Sequence, residues 1–173
     1  MDIKNLIFEA RKGSSEAFGK LYSLYYKEMY YYALSRLRSE DDACDAVSEA
    51  VLDAFASIKK LKNEDLFKSW LFTILTRKIT KKYSEYQKQT ESIDDVSGEI
   101  DKNGELPDIT KIESDEILDT LSEKERQMFS LCYVCGFTSE EISKMTNTNP
   151  STVRSHLLRA KNKLRILYSD KTV

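Results

Sequence analysis

Apolar residues recur every three or four positions along most of this chain, the period at which side chains share one face of an α-helix. Phe18, Leu21, Tyr25, Met29 and Tyr32 form such a stripe, and Gly13-Ser14-Ser15 separates it from a shorter helix holding Leu6, Ile7 and Ala10. A third helix has both ends marked. Ser39 offers a capping hydroxyl, Glu40, Asp41 and Asp42 suit the positive end of the helix dipole, and Lys59, Lys60 and Lys62 close its negative end. Ala43, Val47, Val51, Ala54 and Ile58 make its buried face. Asp45, Ser48, Glu49 and the apolar Leu52 lie outward, on a face suited to solvent or to a protein contact. A fourth helix starts near Asn63-Glu64-Asp65 and buries Phe67, Trp70, Leu71 and Ile74.

The periodicity lapses after residue 90 and resumes with Ile112, Ile117, Leu118 and Leu121. Ser122-Glu123-Lys124-Glu125 has the form of a capping box, and the helix it opens carries Met128, Leu131, Cys132 and Val134 or Cys135 before Gly136 ends it. Thr138-Ser139-Glu140-Glu141 opens a further short helix with Ile142 and Met145 as its apolar pair. Asn147 suits the left-handed conformation of a tight turn, Asn149 a helix N-cap, and Pro150 the first helical position, where a missing amide proton is not needed. Val153, Leu157, Ala160 and Leu164 then share one face of a last helix, with Ser151, Arg154, Ser155, Arg159, Lys161 and Lys163 on others.

Composition agrees with an all-α fold. Of 173 residues, 40% are hydrophobic and 32% charged, as in soluble packed helices, and only 5 are Gly and 2 Pro. No apolar run is long enough for a membrane span, and the first residues lack the apolar core of a signal peptide, so a cytoplasmic protein is expected. Taken over the whole chain, the net charge of −2 and a pI near 5.6 disfavour a nucleic-acid binder. Taken by segment the picture reverses: residues 1–90 carry +3, residues 91–117 carry −8 and residues 118–173 carry +3. Two mildly basic helical domains, 1–90 and 112–173, are therefore expected on either side of a flexible acidic linker over 91–111, whose like charges repel and extend it.

Each basic block contains a candidate nucleic-acid surface. Arg77, Lys78, Lys81, Lys82 and Lys88 cluster on the fourth helix with Tyr83 and Tyr86 interleaved, so cations can neutralise phosphates while rings stack on unpaired bases. The C-terminal pattern of short helix, tight turn and a helix that begins polar and turns basic is that of a helix-turn-helix. It places Ser151, Arg154 and Ser155 against base edges, where Arg suits guanine, and Arg159 with the lysines against phosphates. The same pattern also fits a helical hairpin of an interaction protein. Catalytic chemistry has no foothold: Cys132 and Cys135 form a CxxC without a second pair, His156 is the only histidine, and no nucleophilic triad or phosphate-cradling glycine loop is present. No catalytic residue, metal ligand, cofactor or small-molecule substrate is therefore expected.

These motifs, in this order, resemble the extracytoplasmic-function (ECF) group of RNA polymerase sigma factors of the sigma-70 family. The resemblance rests on Ala17-Phe18-Gly19-Lys20-Leu21-Tyr22, on residues 42–49, on residues 67–74 around Trp70, and on residues 138–142 and 151–161 of the helix-turn-helix. It implies an N-terminal sigma region 2 and a C-terminal sigma region 4. By that resemblance Asp45, Ser48, Glu49 and Leu52 contact the clamp helices of the polymerase's largest subunit. Asn63, in the loop over 61–65, with Arg77, Lys78, Lys81 and Lys82 reads and helps melt the −10 element. Ser151, Arg154, Ser155, His156 and Arg159 read the −35 element as duplex. The family often has Gln where Ser48 stands, Asn where Arg77 stands and Arg where His156 stands. The partners it implies are core RNA polymerase, promoter DNA and a membrane-associated anti-sigma factor. The alternative is a helix-turn-helix regulator that acts without replacing the sigma subunit.

Overall fold

The computed structural model describes residues 2–90 and 118–170, and among them there is no β-strand. The acidic stretch 91–111, together with Ile112 and Ile117, lies outside the described residues. The described residues hold the α-helices α1 (Ile3–Arg11), α2 (Ser15–Leu37), α3 (Glu40–Ser57), α4 (Phe67–Thr90), α5 (Glu123–Phe129), α6 (Ser139–Thr146) and α7 (Pro150–Asp170). Two 3-10 turns, Ile58–Lys60 and Glu64–Leu66, carry the chain from α3 to α4.

The caps are where the sequence puts them. Asp2, Ser14 and Ser39 accept from the amides of Lys4, Ala17 and Asp42, satisfying donors that a helix start leaves unpaired. Gly13, at φ +104, turns α1 into α2, a conformation in which a Cβ is strained. Arg38 ends α2 at φ 58, a left-handed cap without glycine, and its side chain pairs with Asp119.

Helices α1 to α4 form one bundle. Phe18, Leu21, Met29 and Tyr32 of α2 are buried against α3 and α4. Helix α3 presents Ala43, Ala46, Ala50 and Ala54, each at most 1% exposed, so its backbone can lie close to its neighbours. On α4 the inward face is Phe67, Leu71, Phe72, Leu75 and Ile79; Trp70 and Ile74, expected in the core, are only half-buried. Each such large apolar side chain contributes about 1.5–3 kcal/mol on full burial.

The C-terminal helices pack onto this bundle rather than standing apart, and the buried cluster runs without a break from Ile7 to Val153. Helix α5 and the turn after it lie on α2, while α6 lies on α4. Phe72 meets Phe137 edge to face with ring centroids 5.1 Å apart. Polar groups cross the same boundary: Gln127 Nε2 donates to the buried Tyr32 hydroxyl at 3.4 Å, and the Ser35 and Ser130 hydroxyls lie 3.0 Å apart. The Lys68 ammonium donates to the Cys135 carbonyl at 2.6 Å and pairs with Glu28.

The helix opened by Ser122 does have its capping box, with Ser122 and Glu125 bonded reciprocally. It does not continue as one α-helix to Gly136. After Phe129 it widens into a π-turn over Ser130–Val134, closed by a bond from the Cys135 amide to the Ser130 carbonyl. The extra residue in that turn sets Cys135 inward, at 1% exposure, and leaves Cys132 only half-buried.

Candidate functional site

The helix-turn-helix is built by short-range bonds. Thr138 and Glu141 form a second capping box at the start of α6, which buries Ile142 and Met145. Asn147 takes the left-handed conformation at φ 51, and the amide of Thr148 returns to the Ser143 carbonyl at 3.1 Å. Asn149 Oδ1 accepts from both the amide and the hydroxyl of Ser151, at 3.0 and 2.8 Å, and so starts α7. Val153 and Ala160 are buried beneath α7, which fixes its opposite face outward.

That outward face carries Ser151, Arg154, Ser155 and Arg159, all exposed and spaced three or four residues apart. The guanidinium of Arg154 leans toward Glu140 of α6 at 3.3 Å, and Arg159 Nε donates to the Ser155 carbonyl at 3.3 Å. His156 does not share the stripe. It is half-buried near Lys124 and Glu125 of α5, and its Nδ1 has no hydrogen-bond partner. Burial, then the neighbouring Arg159, hold its pKa below the usual imidazole value.

Helices α3 and α4 bring the other two groups of candidate residues together. Asp45, Ser48, Glu49 and Leu52 are all exposed on α3, Leu52 at 69%. The lysines assigned to DNA lie against this helix. Lys78 reaches Asp53 at 2.6 Å and Glu49 at 3.8 Å; Lys82 reaches Glu49 at 3.7 Å and Asp45 at 3.9 Å. The hydrogen bond to Asp53 is the main reason that the Lys78 ammonium is held above its ordinary pKa. Arg77 and Lys81 are exposed and have no ion-pair partner among the described residues. Asn63 is exposed and its side chain accepts from the Asp65 amide at 3.0 Å, which fixes the turn before α4. Tyr83 is half-buried, and the Tyr86 hydroxyl is pushed up to about 12, chiefly by a hydrogen bond to Asp42. Asp53 escaped the sequence reading, although Asp45, Glu49 and Asp53 stand four residues apart, as do Lys78 and Lys82.

No group of three or more metal-binding side chains occurs among the described residues, and no helix there is long and apolar enough to cross a membrane. Burial pushes the Cys135 thiol up to about 12.

Comparison with known proteins gives this geometry a family. Residues 21–89 match the model of sigma-70 region 2, and residues 113–164 match that of sigma-70 region 4. The ECF RNA polymerase sigma factor EcfG of Rhodopseudomonas palustris is 30% identical over 145 residues, which cover 80% of this chain and 78% of that one. The chain belongs to the ECF RNA polymerase sigma factors. The RNA polymerase sigma factor SigV of Bacillus subtilis is 29% identical over 140 residues, 81% of this chain and 84% of its own. The fold matches that of the sigma factor RpoE solved in complex with the anti-sigma factor NepR from Bartonella quintana, with a TM-score of 0.67, 24% identity and coverage of 88% and 96%. As an ECF sigma factor the chain is a regulatory DNA-binding subunit that joins core RNA polymerase and directs initiation at promoters. The two matched regions fall on the α2–α4 bundle and on the helix-turn-helix side of the molecule.

Proposed function

We propose that the three exposed surfaces divide the work of promoter selection. Helix α7 enters the major groove of the −35 element: Ser151, Arg154 and Ser155 face base edges and Arg159 the backbone, with His156 at the margin of the contact. Arg77, Lys78, Lys81 and Lys82 of α4, with Asn63 in the preceding turn, hold the −10 element and favour its unpaired strand. Asp45, Ser48, Glu49 and Leu52 of α3 dock on the clamp helices of the polymerase's largest subunit. The observation that carries this reading is the single outward stripe of α7, four polar or cationic side chains on a helix-turn-helix whose opposite face is buried. The chain has regulatory rather than catalytic work and does it in the cytoplasm, where the polymerase is. The complex of RpoE with the anti-sigma factor NepR supports an anti-sigma partner for this chain too; in this proposal that partner is membrane-associated and covers these surfaces.

Run-off transcription with core polymerase over a promoter library tests the reading. Starts that appear only when the chain is added support it. If no start depends on the chain, it fails; tight operator binding without core enzyme would instead identify an independent helix-turn-helix regulator.

A further inference from the structure

The charges between α3 and α4 form one alternating row. Asp53 meets Lys78 at 2.6 Å, Lys78 meets Glu49 at 3.8 Å, Glu49 meets Lys82 at 3.7 Å, and Lys82 meets Asp45 at 3.9 Å. Both lysines lie low, with side chains 24% and 19% exposed, while the three carboxylates are 49–70% exposed. The acids that face the polymerase are thus the counter-ions of the lysines that face DNA. A carboxylate this exposed is open to a competing cation, and an ammonium flanked by two carboxylates has little left to offer a phosphate.

We propose that this row links the two binding events. In the free chain, Asp45, Glu49 and Asp53 hold Lys78 and Lys82 and suppress the affinity of α4 for single-stranded DNA. A basic partner seated on Asp45 and Glu49 takes up those carboxylates, which releases the Lys82 ammonium for phosphates and leaves Lys78 with Asp53 alone. Asp53 is a positioning residue: outside the polymerase-facing group, it anchors Lys78 at the end of the row. Arg77 and Lys81, without ion-pair partners among the described residues, supply the affinity that is always available. Because the linkage is thermodynamic, it is reciprocal: DNA on α4 tightens polymerase binding by the same factor. The inference rests on the assignment of α3 to polymerase and α4 to DNA.

The test uses the full chain and a fluorescent single-stranded oligonucleotide, read by anisotropy at several salt concentrations. Exposed pairs of this kind are weak, so Asp53→Asn should tighten binding by about two- to threefold, and Asp45→Asn/Glu49→Gln/Asp53→Asn by about tenfold. The salt dependence should steepen by about 0.7 for each lysine released onto a single strand. Glu40→Gln/Asp41→Asn removes two charges from the same helix away from the row and controls for net charge. Adding Lys78→Met and Lys82→Met to the triple variant should abolish the gain. With core polymerase, the factor by which the oligonucleotide tightens association should shrink in Lys82→Met, because both counter-ions of Lys82 are polymerase-facing acids. A gain no larger than the control's, or one that survives loss of both lysines, overturns the proposal. Run-off transcription separates this failure from that of the underlying assignment: if Lys78→Met/Lys82→Met leaves promoter opening untouched, the −10 role of α4 is wrong; if opening is lost while the coupling is absent, only the linkage is.

Discussion

Arg36 of α2 and Glu123 of α5 form an ion pair across the boundary between the two matched regions, with the arginine side chain only 3% exposed. Among the described residues the Nε and Nη1 atoms of Arg36 have no hydrogen-bond partner, and Glu123 is its one ion-pair partner. Glu123→Gln therefore leaves a buried cation uncompensated. The removal of one member of a buried pair is strongly destabilising, and the 29% exposure of Glu123 moderates this to about 1–2 kcal/mol against the closed arrangement. The fraction of open chain should rise about tenfold, read from the alkylation rate of Cys135 at the same boundary. Arg36→Met/Glu123→Met should restore much of the closure. An unchanged rate in Glu123→Gln would show that the pair does not hold the boundary.

The cysteines provide their own order of reactivity. The thiolate is the nucleophile, and a thiol raised to about 12 by burial is almost entirely protonated near pH 8. Iodoacetamide should label exposed Cys44 first, Cys132 more slowly and Cys135 last, as followed by mass spectrometry of the native chain. Labelling of Cys135 as fast as Cys44 would contradict the packing of the turn after α5 on α2.

Tyr32 is fully buried and its hydroxyl lies 3.1 Å from Thr76 Oγ1 while accepting from Gln127. Tyr32→Phe keeps the ring and strands both partners. The expected loss is about 1–2 kcal/mol of unfolding free energy, measured as a lower urea midpoint with an unchanged slope.

Arg154→Ala should remove about 1–3 kcal/mol of discrimination at one base pair of the −35 element while leaving polymerase association intact. Competition of the holoenzyme among duplexes changed one base pair at a time measures this. A loss spread evenly over all positions would place Arg154 on the backbone instead. Arg159→Ala is the contrasting variant, weakening all duplexes alike and flattening the salt dependence by about one.

His156 sets a pH window. Its folded pKa is depressed, so the unfolded chain takes up the proton first and stability falls as pH drops through the unfolded value near 6.5. Urea midpoints between about pH 7.5 and 5.5 should decline in the native chain and decline less in His156→Gln. Equal slopes in the two would remove His156 as the source.

Local signals in the sequence carried far. Ser39, Ser122, Asn147, Asn149 and Pro150 mark helix ends by their own chemistry, and each acts in the structure as its residue type dictates. The stripe of α7 was equally legible, because burial of Val153 and Ala160 at helical spacing leaves one face for reading. What stayed hidden is non-local. Arg36, Glu125 and Gln127 are polar residues that suggest a surface, yet all three are buried, because their partners come from distant parts of the chain. The π-turn at Ser130 has no sequence signature that periodicity detects. Asp45 and Lys82 were legible as members of two separate surfaces; that they oppose each other depends on how α3 and α4 cross.

The packing of α4 on α6 and of α6 on α7 also has a metric consequence. At about 8–10 Å for each packed pair, the axes of α4 and α7 lie no more than about 20 Å apart at the packed helices. With α4 assigned to the −10 element and α7 to the −35 element, the two sites on B-form DNA are some 25 base pairs apart, or about 85 Å at 3.4 Å for each pair. The closed molecule is a ruler too short for its promoter. On that assignment the halves must part, and the Arg36–Glu123 pair must break, before the chain can span both elements, so the closed chain cannot measure the spacing of its target.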